Sequence, residues 1–184
     1  MGFAEALKGL ARRAAGHARL KSPWIIHYDC GSCNGCDIEL LACLTPTFDA
    51  ERLGVVNVGN PKHADILVVT GAVNRRNSRV LENLYREMGH PKAVVAVGTC
   101  AASGGLFRDC PNVIAGVDQV VPVTVYVPGC PARPQDIMAG IQLAALRLAG
   151  EETRETAAEG AHNEAERAIG EPGDSGRNRP GTGR

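Results

Sequence analysis

The sequence is poor in aromatic side chains and has no excess of charge of either sign. Phe, Trp and Tyr make up 4% of its 184 residues, and 20 Lys and Arg balance 20 Asp and Glu. Because a nucleic-acid partner calls for a basic surface, this composition gives no indication of one. No run approaches the roughly 18 apolar residues of a bilayer-spanning helix, and the N-terminal stretch lacks the apolar core of a secretory signal peptide.

Two frequent functional motifs are missing as well. Gly98 is followed by Thr99 and Cys100, so the glycines there do not form a G-x-G-x-x-G nucleotide loop. The chain has no G-x-S-x-G elbow, which argues against a serine hydrolase of that type. Cysteine, by contrast, is frequent, with seven residues. An odd number without an export signal favours a reducing compartment, and metal or redox chemistry over a disulfide framework.

Short apolar segments alternate with helix-like segments through residues 23–150, and this predicts a single α/β domain. The predicted strands are 24–28, 55–58, 65–70, 93–97 and 123–127. The predicted helices run over 37–44, from a cap at Asn77 or Ser78 through Met88, and from Pro134 to Gly150. Such an alternation is typical of a parallel sheet with helices on both faces.

The two ends of the chain differ from this domain. Residues 1–22 are basic, and Phe3, Leu7, Leu10 and Ala14 recur at helical spacing. A short basic amphipathic helix there would suit a membrane surface or a partner protein, and a frayed terminus is the alternative. Residues 151–184 contain almost no large apolar side chains, so we predict a disordered polar tail.

The cysteines stand where the predicted strands end. Cys30, Cys33 and Cys36 follow the first strand, Cys100 follows the fourth, and Cys130 follows the fifth. Ligands of parallel α/β sheets collect beyond the carboxyl ends of the strands. We therefore expect these thiols to converge on one edge of the sheet.

The spacing of the cysteines favours an iron–sulfur cluster over zinc. A structural zinc site usually draws on two C-x-x-C pairs, whereas this chain has one such pair and two isolated cysteines on separate loops. The set that we favour is Cys33, Cys36, Cys100 and Cys130. Cys30 also forms a C-x-x-C with Cys33, so this pair stays open as an alternative. Cys43 is expected in the core, and Cys110 has no assigned role.

Three motifs together carry a family resemblance over residues 22–149. They are Cys33-x-x-Cys36-Asp-Ile-Glu39, then Val97-Gly-Thr-Cys100-Ala-Ala-Ser-Gly-Gly105, and finally the segment 121–131 with Pro-Gly-Cys130-Pro131. The chain resembles the small subunit of membrane-bound, energy-converting [NiFe] hydrogenases. It is similar also to the homologous cluster-bearing subunit of respiratory complex I.

This resemblance implies a flavodoxin-like fold with one [4Fe–4S] cluster at the carboxyl edge of the strands. The implied ligands are Cys33, Cys36, Cys100 and Cys130. It further implies an electron-transfer subunit that is inactive alone and relays electrons between ferredoxin-type clusters and the nickel–iron site of a large subunit. The implied partners are the [NiFe] large subunit, a ferredoxin-like two-cluster subunit and integral membrane ion-translocating subunits. The implied location is peripheral, on the cytoplasmic side of the cell membrane.

One detail separates the two branches of the resemblance. The complex I type carries adjacent cysteines before its Ile-Glu segment, whereas Gly35 stands at the first of those positions here and Cys33 supplies the thiol. The C-x-x-C form is that of the hydrogenase type. The corresponding subunit of a complex I-type NADH/quinone oxidoreductase is the first alternative, and a zinc-stabilised interaction module is the alternative of another class.

Polar residues near the cysteines are weaker candidates. The resemblance places an acid at Glu39, one helical turn beyond Cys36, where a carboxylate would serve as a proton relay. The alternative is an acid in the first turn that favours the helix dipole. Asp37 has less support for a function, and His27 is expected as a satisfied histidine of a buried strand. Candidate partner contacts are the helix 134–149 and the loops 71–77 and 100–112.

Overall fold

The computed structural model describes residues 3–150, with side chains from Gly9 onward except those at positions 12 and 13. The predicted disordered tail at 151–184 lies outside the described residues. So do the side chains of Phe3 and Leu7, on which the amphipathic face of the N-terminal segment was predicted.

The described part of the chain contains five α-helices and five strands. The helices are α1 (Phe3–Lys21), α2 (Gly35–Cys43), α3 (Ser78–Glu87), α4 (Gly98–Ser103) and α5 (134–150). The strands are β1 (Trp24–Asp29), β2 (Val56–Asn57), β3 (Ile66–Thr70), β4 (Ala93–Val97) and β5 (Val125–Val127). Short 3-10 turns occupy Ala50–Leu53, Pro61–His63, Gly105–Phe107 and Val117–Gln119.

The strands form one parallel sheet in the order β2-β1-β3-β4-β5. This order is the flavodoxin-like form of the doubly wound sheet, as the resemblance implied. The direction in which successive strands are added to the sheet reverses between β1 and β3. The loops that leave these two strands therefore run to opposite faces of the sheet. Asp29 pairs with Thr70, and Thr70 pairs with Val97, which aligns three strand ends at one edge.

Aliphatic side chains fill both faces of the sheet. Every residue of β3 and β4 is buried, which explains why these strands read as continuous apolar runs rather than alternating ones. On one face, Leu40 of α2 and Ile141 of α5 belong to the core. On the other, Leu81 of α3 and Ala101 of α4 do. The predicted parallel sheet with helices on both faces is confirmed.

The end of α1 is fastened to the sheet near the start of β1. Arg19 donates from Nε to Asp65 Oδ1 at 2.8 Å, and the other carboxylate oxygen accepts the backbone N–H of Trp24 at 3.1 Å. Leu20 packs against the core on the α2 and α5 face. Among the described helices, none combines the length and the apolar character that crossing a membrane requires.

Three local predictions differ from the structure. β5 begins at Val125 instead of Val123, although Thr124 already exchanges hydrogen bonds with Val94. The six-residue helix α4 was missed, because it consists of small residues and is too short for a periodic pattern. Asn77 precedes α3 without capping it through its side chain, which instead donates to the carbonyl of Cys30 at 3.1 Å.

Two neighbouring leucines of α2 test this packing. Leu40 is 2% exposed in the core, whereas Leu41 is 56% exposed. We expect Leu40→Ala to lower the free energy of unfolding by about 2–5 kcal/mol because it leaves a cavity. Leu41→Ala should change it by less than about 0.5 kcal/mol. Urea titrations of the two variants and the parent chain measure the difference, and equal losses would contradict the described orientation of α2.

Candidate metal centre

Three loops at the carboxyl edge of the sheet carry the candidate thiols. Cys33 lies exposed in the loop between β1 and α2, and Cys36 is the second residue of α2. Cys100 lies in α4, directly after β4, and Cys130 lies in the loop that follows β5. Parallel strands end at the same edge, so residues that are up to about a hundred positions apart in sequence face one region.

The charges of these four thiols influence one another. Burial raises the pKa of Cys36, and the neighbouring Asp37, Cys33 and Cys130 raise it further, while a hydrogen bond from the backbone of Ala132 opposes the shift. Burial likewise raises the pKa of Cys100, with additional contributions from Cys130, Cys33 and Cys36. The thiols of Cys33 and Cys130 therefore lie near those of Cys36 and Cys100.

The thiols of Cys36 and Cys100 resist ionisation in the absence of a bound cation. Each thiolate in a partly desolvated group raises the cost of forming the next one. Iron and zinc ions bind thiolates and remove this cost, so binding releases protons. Within the described residues, no three or more His, Cys, Asp or Glu side chains are close enough to hold a single metal ion.

Glycines make room directly beside two of the sulfurs. Gly98 has φ +83°, and a Cβ at this position would lie 2.5 Å from Cys36 Sγ. Gly105 has φ +52°, and its Cβ would lie 3.2 Å from Cys100 Sγ. Only glycine accepts these conformations readily and leaves this space open. The donor set and the cradle around it fit a thiolate-bound iron–sulfur cluster, whose potential responds to hydrogen bonds at sulfur.

Hydrogen bonds connect the three loops to one another. Thr99 donates from its backbone N–H and from Oγ1 to the carbonyl of Gly129, at 2.8 and 3.0 Å. The Cys100 and Cys130 loops are thereby joined. The backbone of Ala132 donates to the Cys36 thiol, which joins the Cys130 loop to α2. The relative positions of the thiols thus depend on protein contacts as well as on any bound group.

The remaining cysteines lie elsewhere. Cys30 is 0% exposed in the core of the α3 and α4 face, and burial followed by Asp29 raises its pKa to about 12. Cys43 donates from Sγ to the carbonyls of Glu39 and Pro134, and burial raises its pKa to about 11. Cys110 is exposed. Cys30 and Cys33 thus differ in their surroundings, since Cys30 is buried in the core and Cys33 is exposed.

A buried polar network adjoins the Cys33–Cys36 loop. Asp37 accepts hydrogen bonds from Ser32 and Thr70, and His27 Nε2 lies 2.9 Å from its Oδ1. Desolvation raises the pKa of Asp37, but the hydrogen bonds from Ser32 and Thr70 and the charge of His27 outweigh it, and the net pKa is lowered. His27 is thus a satisfied histidine, as expected.

The sequence analysis underrated Asp37 and missed Ser32 and Thr70 altogether. Thr70 ends an otherwise aliphatic buried strand, and this lone hydroxyl was the available signal. Glu39, the acid that the resemblance favoured, is half-buried on α2, and its carbonyl accepts the Cys43 thiol. The acid in the described network is therefore Asp37.

Comparisons with known proteins agree in pointing to one family. The family model described as "NADH ubiquinone oxidoreductase, 20 Kd subunit" matches residues 33–144. The probable membrane-bound hydrogenase subunit mbhJ of Pyrococcus furiosus is 49% identical over 129 residues, which cover 70% of this chain and 77% of that protein. A subunit of the NADH-quinone oxidoreductase of Cytophaga hutchinsonii is 43% identical, and the match covers 68% of each chain.

A solved structure resembles the fold over a similar span. A chain of the membrane-bound sulfane sulfur reductase, an archaeal respiratory membrane complex, superposes with a TM-score of 0.66 at 32% identity. The match covers 75% of this chain and 76% of that one. The similarity thus extends over about three quarters of each chain.

Alkylation of the cluster-free chain tests which thiols face the site. At pH 7 the exposed Cys33, Cys110 and Cys130 should react with iodoacetamide first. Cys30 and Cys43 should stay unmodified, because burial excludes the reagent and their raised pKa values keep them protonated. Peptide mass spectrometry identifies the modified residues, and all seven should react in urea. Labelling of Cys30 as fast as Cys110 would contradict its described position.

Proposed function

The chain belongs to the family of the NADH ubiquinone oxidoreductase 20 Kd subunit, and on this premise we propose that it is the electron-transfer subunit of a membrane-bound [NiFe] hydrogenase. The observation that carries the proposal is the convergence of four thiols from three loops on one edge of the sheet. Thiols from separate loops suit an iron–sulfur cluster, and electron transfer needs a redox group held in a fixed place.

Cys33, Cys36, Cys100 and Cys130 would hold one [4Fe–4S] cluster. When bound, such a cluster accepts and returns a single electron. The protein supplies position and electrostatics. Burial around Cys36 and Cys100 lowers the local polarity, Gly98 and Gly105 leave space beside the two sulfurs, and Asp37 adds a fixed negative charge beside Cys36. A negative charge so near the site favours the oxidised state and lowers the potential.

Two observations support the hydrogenase branch. The ligand loop has the C-x-x-C form with Gly35 between its thiols, and the structure brings Cys33 and Cys36 into one group. The relative from Pyrococcus furiosus at 49% identity is a probable membrane-bound hydrogenase subunit. The relative at 43% identity is a quinone oxidoreductase subunit, so a complex I-type enzyme is the second candidate.

An apolar surface borders the thiols, and it would receive the large subunit. Ile38 and Leu41 on α2 are 63% and 56% exposed, and Leu106 is 92% exposed next to Gly105, which adjoins the Cys100 sulfur. Exposed apolar side chains of this size around a functional site are typical of a protein interface. A ferredoxin-like subunit and integral membrane ion-translocating subunits would complete the complex, and would hold this chain at the cytoplasmic face of the membrane.

Glu39 remains our candidate for a proton relay in the assembled complex. It lies three positions beyond Cys36 on the same helix, half-buried, between the exposed Ile38 and the buried Leu40. A carboxylate at this place would reach solvent in the free chain and the partner surface in the complex.

Iron and acid-labile sulfide analysis tests the redox group. The anaerobically purified chain should contain about four iron and four sulfide per molecule, and the dithionite-reduced form should give an S = 1/2 EPR signal. Cys130→Ser should lose the cluster, because it removes a ligand thiol. The matched Cys110→Ser should keep it, because Cys110 is a separate exposed thiol. A colourless protein with one zinc per chain would refute the proposal.

Two charged substitutions test the partner surface. Leu106→Asp should reduce co-purification of the nickel-containing large subunit with the tagged chain by at least about tenfold, because it buries an unpaired charge in the interface. Val56→Asp is the matched control, since Val56 is also exposed, at 41%, but pairs with Trp24 at the start of β1, on the edge of the sheet opposite the thiols. Both variants should keep their iron. Equal recovery of the large subunit with both would contradict the assignment of this surface.

A further inference from the structure

The carboxylate of Asp37 is held from two parallel strands. Asp37 and Thr70 are the buried polar side chains of the described part of the chain. Thr70 donates from Oγ1 to Asp37 Oδ1 at 2.6 Å, and His27 Nε2 lies 2.9 Å from the same oxygen and from the Thr70 hydroxyl. Since the hydroxyl proton is committed to the carboxylate, His27 Nε2 carries a hydrogen. β1 and β3 thus fix one oxygen of Asp37.

The second oxygen of Asp37 reaches the cysteine loop through Ser32. Ser32 donates from Oγ to Asp37 Oδ2, and the same Oγ accepts the backbone N–H of Asn34 at 2.8 Å. The backbone N–H of Ser32 donates to Asp29 Oδ1 at 2.7 Å. The residues on either side of Cys33 are therefore both connected to one hydroxyl, which is itself anchored to a buried carboxylate.

Hydrogen bonds have to hold the conformation of this loop, because its exposed residues have little packing around them. Cys33 and Asn34 are exposed, and Asn34 has the left-handed φ of 66°. That conformation is unfavourable for a residue with a Cβ and persists only where surrounding contacts enforce it. Hydrogen bonds to an ionised carboxylate are about twice as strong as those between neutral groups. The network therefore restrains the position of Cys33, as buried packing restrains the position of Cys36.

We propose that Asp37 is a positioning residue that holds Cys33 in the geometry for cluster binding, acting through the hydroxyl of Ser32. The inference rests on the proposed function, since it concerns the same thiols. The inference goes beyond the proposed function because it says that hydrogen bonds of the chain itself, and not the cluster, shape the loop that carries Cys33. Its consequence is that removal of one hydroxyl outside the ligand set loosens one ligand and leaves the sheet intact.

The test compares serine variants of the full chain in its cluster-bound form. Ser32→Ala removes the hydroxyl, and Ser32→Thr retains it. Ser78→Ala is the matched control, because Ser78 Oγ makes a local hydrogen bond to the carbonyl of Arg75. The measured quantity is the anaerobic rate at which a ferrous-iron chelator bleaches the cluster absorbance.

We expect Ser32→Ala to lose its cluster about five to ten times faster than the parent chain, the effect of one lost hydrogen bond. Asp37→Asn should lose its cluster faster still, because it removes the negative charge of the group to which the Ser32 and Thr70 hydroxyls donate. Ser32→Thr and Ser78→Ala should stay within about twofold of the parent. The EPR signal of reduced Ser32→Ala should also broaden, since one ligand becomes less ordered, and that of Ser32→Thr should not.

The outcomes separate the inference from the proposed function. If the parent chain binds no cluster, the proposed function fails. If the parent binds a cluster and Ser32→Ala loses it at the rate of Ser78→Ala, only the positioning role fails. The role is also refuted if Ser32→Thr, which keeps the hydroxyl, loses its cluster as fast as Ser32→Ala, because the hydroxyl would then not be what holds the loop.

Discussion

The site depends on one geometric constraint: parallel strands in a doubly wound sheet end at a common edge. The pairing of Asp29 with Thr70 and of Thr70 with Val97 aligns the ends of β1, β3 and β4, and β5 continues the alignment through Val97 and Val127. Each chain segment that leaves this edge starts from a fixed point, so short loops suffice to gather distant thiols. In an antiparallel sheet, successive strand ends would alternate between edges and the cysteines would separate.

Bringing the thiols together carries an electrostatic cost. Burial opposes the ionisation of Cys36 and Cys100, and the neighbouring thiols add to this opposition. The thiols of Cys36 and Cys100 are therefore protonated near neutral pH in the cluster-free chain, and bound iron would favour their ionised forms. Hydrogen bonds within the protein limit the motion that would otherwise relieve this crowding. Thr99 fixes the Cys100 loop to Gly129, and the backbone of Ala132 approaches Cys36.

The buried network and the apolar surface serve the same site from opposite sides. Asp37, Thr70 and His27 lie inward of the cysteine loop and tie it to two strands. Ile38 and Leu106 lie outward and exposed. A redox group between them would be positioned by the protein beneath and desolvated further by a partner above. Asp37 and Ile38 are adjacent in α2 but face opposite sides. Asp37 belongs to the buried network, and Ile38 belongs to the exposed apolar surface.

The sequence by itself determined the class of fold and the region of the site. Strand-length aliphatic runs such as 66–70 and 93–97, separated by helical segments, specify a parallel sheet, and cysteines placed after the strands point to its carboxyl edge. Spacing could not choose between Cys30 and Cys36 as the partner of Cys33, because both pairs are C-x-x-C. The tertiary structure separates the two residues: Cys30 follows β1 into the core, whereas Cys36 lies in the first turn of α2 at the edge of the sheet. The hydrogen-bond network of Asp37 was likewise visible only in the tertiary structure. Thr70 contacts this carboxylate from 33 positions away in the sequence and His27 from ten positions away. Hydrogen bonds between such distant residues leave no periodic pattern in a sequence.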